Sequence, residues 1–164
     1  MHRQSVAVFD RFLATLSSIL AKAEAHCEAR RIKPEVMLAA RLFPDMLPLV
    51  KQVQLACDFA ARGSARLAGQ EPKVFPDTET TFAELQARIA AARAHIAALS
   101  PDDFAEAPAR QITFKAGPMD MTLSGADFLS FYALPQFFFH LTTAYALLRH
   151  NGVEIGKGDF MGAV

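Results

Sequence analysis

From Ser5 to about Arg30, the apolar residues Phe9, Phe12, Leu13, Leu16, Leu20, Ala23 and Cys27 recur at alternating spacings of three and four. That spacing lines one face of a helix and predicts a first long helix here. Pro34 stops or redirects the chain, and the run from Pro34 to Phe43 predicts a short connecting helix before Pro44. A second long helix is expected from near Asp45 to about Gly69. Its buried stripe would be Met46, Leu49, Val50, Val53, Cys57, Ala60 and Ser64, with Asp45 as the helix-start acceptor and Pro48 in the first turn. The stretch from Gln70 to Thr80 holds two prolines and no helical period, so it reads as a loop running across the helices.

Thr81 and Glu84 form a capping-box pattern ahead of a third helix whose inward face carries Phe82, Leu85, Ile89, Ala92, Ile96 and Leu99; Ser100 and Pro101 close it. Between Arg110 and Leu123 the period falls to two, through Ile112 and Phe114 and then Met119, Met121 and Leu123, across a break at Ala116, Gly117 and Pro118. A small β-hairpin follows from that change. Ser124 and Asp127 repeat the capping pattern and open a fourth helix that runs to Arg149 or His150. Pro135 inside it predicts a kink near Phe131, whose carbonyl loses its usual partner. The glycine-rich tail after Gly152 is expected to lack regular structure, with Val153, Ile155 and Phe160 packing onto the bundle or a partner.

Composition narrows the class. A chain of 164 residues with 52% hydrophobic content and 14 Phe can bury one substantial core and is too short to expect two domains. Its 17 basic and 17 acidic residues cancel, which removes the long-range field that gathers nucleic acid. The densest cations, Arg30, Arg31 and Lys33, suit a helix C-terminus better than a binding stripe. Cys27 and Cys57 both fall in apolar-periodic segments, as structural thiols do, and a reducing cytoplasm fits them. The span from Phe128 to Leu148 has the length of a bilayer crossing. Ser130, Pro135, Gln136, His140, Thr142 and Thr143 inside it argue instead for a helix buried between helices or subunits, so no membrane partner is expected.

Five histidines are present, at positions 2, 26, 95, 140 and 150, and none forms an HExxH, HxH or HxxxH pair. His140 shares a face with Gln136 and Thr143 on the most apolar helix. Its two readings are a hydrogen-bonded core or interface histidine and a ligand or proton-transfer group. Gln52 and Gln54 on the second helix are the facing polar groups, while Asp58 reads as a solvated charge. No nucleophile elbow, P-loop or dinucleotide fingerprint occurs.

The runs ALPQFFFHLTTAYALLRHNGVEIGKGDFMG, ARLFPDMLPLVKQVQLACDFA and RLAGQEPKVFPDTETTFAEL resemble a bacterial domain-of-unknown-function family placed with the DinB/YfiT-like metalloenzymes, over nearly the whole chain. The resemblance implies an all-α, DinB-like four-helix bundle, often dimeric, in which a divalent metal is held by one His of the second helix and an HxxxH pair of the last. Those places fall near Gln52 and on Gln136 and His140. With Gln at two of three ligand positions, the resemblance implies a bundle without a catalytic metal, since amide oxygens grip zinc or nickel far less well than imidazole; His140 is the only ligand left to hold one. The expectation is a cytoplasmic homodimer that binds a small molecule in a polar pocket of Gln52, Gln136 and His140, walled by Phe137 or Phe139. The alternative is a divergent metal-dependent transferase or hydrolase using His140.

Overall fold

The computed structural model describes residues 1–162. Helix α1 (His2–Arg30) is followed by the short α2 (Pro34–Leu38), then α3 (Leu49–Leu67), α4 (Phe82–Ala97) and a 3₁₀ turn (Pro101–Phe104). Strands β1 (Gln111–Ala116) and β2 (Met119–Ser124) come next, and then a long final helix in three parts. These are α5 (Gly125–Asp127), a π-helical segment (Phe128–Ala133) and α6 (Leu134–His150), with α7 (Lys157–Met161) behind them. The four long helices α1, α3, α4 and α6 form the bundle, and α3 sits centrally, packed on α1, α4 and α6.

Each helix forms where its apolar face has a partner. The α1 stripe from Val6 to Cys27 is buried, and its Phe9 ring meets Phe137 of α6 edge-on with centroids 4.9 Å apart. Arg31 ends α1 in the left-handed region at φ 56°, so that Ile32 N–H can bond the Cys27 carbonyl. Helix α3 presents small residues, Ala56, Ala60 and Gly63, to its neighbours; an added Cβ at Gly63 would lie 3.4 Å from the Cβ of Ala133. Thr81 caps α4 with the full reciprocal capping box to Glu84.

The hairpin is antiparallel, with Gln111 opposite Ser124 and Ala116 opposite Met119. Its two-residue turn places Gly117 at φ 60°, followed by Pro118, the pairing of a positive and a ring-fixed negative φ that suits a tight hairpin. Ile112 and Phe114 face the core.

Three local expectations need correction. Helix α3 starts at Leu49, not near Asp45: Pro48 is its N-cap in extended geometry, and Asp45 lies exposed in the preceding turn, so it caps nothing. The connecting helix stops at Leu38, well short of Phe43. Around Phe131, where Pro135 was expected to disturb the helix, the chain forms a π-helical turn over Phe128–Ala133 that shifts the hydrogen-bond register just ahead of the proline. The tail does form a helix, α7. Gly156 N–H bonds the Asp159 carboxylate, Lys22 pairs with the same side chain at 2.6 Å, and Phe160 packs on Phe12 and Tyr145. Glycine's low helix propensity is here offset by a cap and a tertiary anchor. Val153 and Ile155 are buried as expected.

Candidate functional site

The central α3 and the final helix face each other, and this brings Gln52 and His140 together. The Gln52 amide N–H₂ donates to the Leu47 carbonyl at 3.1 Å, which turns its oxygen toward His140 Nδ1 at 2.8 Å. An amide oxygen can only accept, so the imidazole proton sits on Nδ1 and Nε2 keeps a bare lone pair. Gln52 is 2% exposed and His140 7%, yet Nε2 has no partner among the described residues and is not sealed from solvent. Phe59 stacks on the imidazole at 5.6 Å and 10°, and Phe139 meets it edge-on at 5.2 Å and 87°. The Gln136 side chain, one turn before His140, is half-buried and makes no hydrogen bond among the described residues. Thr143 returns its hydroxyl to the Phe139 carbonyl at 2.7 Å.

This apolar frame decides the electrostatics. Burial alone pushes His140 down to about 4, since nothing negative lies close enough to hold a proton on it. The imidazole is therefore neutral at physiological pH and a poor general base there, where catalysis favours a pKa near the working pH. Its unfolded value is the ordinary 6.5, so between pH 6.5 and 4 the unfolded chain binds the extra proton. Stability from this group is complete above pH 6.5 and is lost as pH falls through that window, by about 3 kcal/mol in total. Urea titrations at stepped pH should show that slope, and His140→Phe should flatten it; an unchanged slope in the variant would assign the effect elsewhere.

The donor set fits a firmly held cation badly. The Gln52 oxygen is already engaged by the His140 N–H, so it supports the imidazole and is not free as a ligand. What remains is one imidazole nitrogen and the Gln136 amide. Among the described residues no group of three or more His, Cys, Asp and Glu side chains is arranged to hold a metal ion. Of the aromatic residues expected to wall the pocket, Phe139 does frame His140, whereas Phe137 is fully buried against Phe9. Phe59 was not part of the buried stripe expected for this helix; the pairing of α3 with α6 brings it to His140.

One and a half turns along α3 from Gln52 lies a cluster that the sequence misread. Asp58 is 5% exposed, not solvated. Arg88 Nη2 binds its Oδ1 at 2.6 Å, and Arg62 Nη2 binds its Oδ2 at 2.7 Å. Arg88, itself 3% exposed, also donates to the Pro76 carbonyl at 2.9 Å and pairs with Glu79 and Asp77 at 3.0 Å. Gln54 turns away from His140 and donates to Glu79 at 2.7 Å. The cluster therefore ties the irregular segment 70–80 across α3 and α4. A hint was present in the sequence, since Arg88 follows Leu85 and precedes Ile89 and Ala92 on the inward stripe of α4. Cys57 beside it is fully buried, and burial raises its thiol to about 12, which leaves it unreactive.

The profile of a family described as a domain of unknown function, DUF1993, matches residues 1–161. A solved structure, the crystal structure of a DinB family member protein from Shewanella denitrificans, is 42% identical; the alignment covers 99% of this chain and 92% of that chain, with a TM-score of 0.93. No curated protein matches the chain.

Proposed function

The chain belongs to the DUF1993 family and has the DinB-like fold, and from that premise we propose that it is a cytoplasmic, homodimeric bundle that binds a small molecule at His140 without a catalytic metal. The observation that carries this reading is the Gln52 oxygen on His140 Nδ1, which leaves Nε2 as a partnerless acceptor between the Phe59 and Phe139 rings. Such a site accepts one N–H or O–H from a planar ligand, with the Gln136 amide in reach of a second polar group one turn away. The exposed Phe131 and Phe139 on the final helix support the dimer, since large apolar side chains left in water mark contact surfaces. No described helix is long and apolar enough to cross a membrane, and both cysteines are free and buried, in keeping with a reducing compartment.

Native mass spectrometry of protein purified without a histidine tag tests metal and assembly together: the expected species is two chains with no divalent ion. One metal per chain, lost in His140→Ala, would establish the transferase or hydrolase alternative, and a stable monomer would remove the dimer. For the ligand, indole serves as a probe with one N–H on a planar ring. It is expected to stabilise the native chain against heat and to leave His140→Phe unaffected; equal stabilisation of both would defeat the binding role of Nε2.

A further inference from the structure

A second recess lies beside Phe59, on the side of α3 that faces the hairpin and the π-helical segment. It is a cavity of about 210 Å³, lined chiefly by Phe59, Arg62, Arg66, Phe114, Lys115 and Tyr132. Asp58 is the only carboxylate among its lining residues, and both its oxygens are already taken, one by Arg88 and the other by Arg62. Positive charge is left over. Arg62 Nε is sealed from solvent with no hydrogen-bond partner. The Arg66 side chain makes no hydrogen bond or ion pair among the described residues; its guanidinium stands 6.0 Å from the centre of the Phe114 ring. Burial, and then the charge of Arg62, hold the Arg66 guanidinium below its ordinary value, with Tyr132 and Glu71 opposing. Lys115, exposed on β1, lies opposite Asp120 on the face of the hairpin away from Phe114.

Two adjacent guanidiniums in a recess repel each other and lose hydration, an arrangement that an incoming anion relieves. A guanidinium presents a planar fork of N–H donors, which matches the paired oxygens of a carboxylate or phosphate. The remaining walls are aromatic: Tyr132 lies 4.4 Å from Phe114 and 6.0 Å from Phe59, centroid to centroid. Tyr132 belongs to the π-helical segment. The recess, at about 210 Å³, has room for one planar ring with its acid group.

We propose that this cavity binds a small oxyanion, carboxylate or phosphate, carried on a planar apolar body, with Arg62 and Arg66 gripping the charged end and the aromatic walls holding the ring. This goes beyond the reading of His140: Phe59 borders both places, but neither His140 nor Gln136 takes part here.

Calorimetric titration of the full chain with benzoate, phenyl phosphate and the neutral methyl benzoate, which has no N–H or O–H to offer His140, tests it and separates the two anion types. At least one anion is expected to bind and methyl benzoate is not. Arg66→Met, which breaks no ion pair, is expected to weaken the anion by about tenfold or more. His140→Phe is expected to leave it unchanged, so failure at one place is distinguishable from failure at the other. The proposal is overturned if neither anion binds, if methyl benzoate binds as well as benzoate, or if Arg66→Met binds like the native chain.

Discussion

Arg88→Met is expected to lower the free energy of unfolding by about 3–5 kcal/mol, the largest effect we foresee for any single side chain here. The reason is what the substitution leaves behind. Methionine fills much the same space, so packing changes little, but Asp58 and Glu79 keep their charges with one cation fewer, and the Pro76 carbonyl loses its donor. Burial already pushes the Asp58 carboxyl upward, with Arg62 and Arg88 pulling it back. Arg62 cannot make up the loss, because its side chain is partly exposed and holds only the outer oxygen. A domain of this size is stable by roughly 5–15 kcal/mol, so the variant should sit near the threshold of folding. Urea denaturation followed by circular dichroism measures the change. Combining Arg88→Met with Asp58→Asn and Glu79→Gln should recover more than half of it, since the uncompensated charges go with the cation. A loss below about 1 kcal/mol in the single variant would mean that the cluster behaves like an ordinary surface pair.

Gly125→Ala is expected to cost about 3 kcal/mol or more. Intrinsic propensity points the other way, since alanine improves on glycine in a helix by about 1 kcal/mol. Contact geometry decides the sign. A Cβ at Gly125 would stand 1.8 Å from the Ala107 carbonyl oxygen, far inside van der Waals contact and against backbone, so no side chain can swing aside to make room. Nor can the 100–110 segment easily retreat: Ala126 N–H is bonded to the Pro108 carbonyl, Ala107 is fully buried, and Arg110 donates to the Leu67 and Asp103 carbonyls. Gly158→Ala in α7 is the matched control, because a Cβ there meets nothing within 4 Å. Thermal melts should place the first variant well below the native chain and the second level with it or slightly above. Equal melting of the two would show that the close approach at Gly125 has no energetic weight.

These two positions also mark what a sequence can and cannot disclose. Periodicity and caps are local, and they placed α1, the Thr81 box of α4, the hairpin and the Ser124 cap close to where the structure has them. The facing of Gln52 and His140 was legible too, through a resemblance that aligned both with the ligand positions of one fold. Long-range pairing was not. Asp58 looks solvated until Arg88, thirty positions later, is brought beside it by the packing of α4 on α3. The start of α3 was misplaced because Asp45 carries the chemistry of a cap while the turn around Met46 directs the chain elsewhere; Arg41 donates to the Met46 carbonyl and Leu49 N–H to that of Ala40. The glycine-rich tail becomes helical only because α1 supplies Lys22 for Asp159 and Phe12 for Phe160. Local propensity is a weak term beside such contacts.

The direction of one amide governs the account of the site, since Gln52 decides which imidazole nitrogen bears the proton. Long-range ¹H–¹⁵N correlation spectra of the His140 ring at neutral pH read that choice directly. The account predicts a protonated Nδ1, a bare Nε2, and no change in either when one equivalent of zinc is added. A proton on Nε2, or an Nε2 signal that shifts and saturates at one zinc per chain, would contradict it.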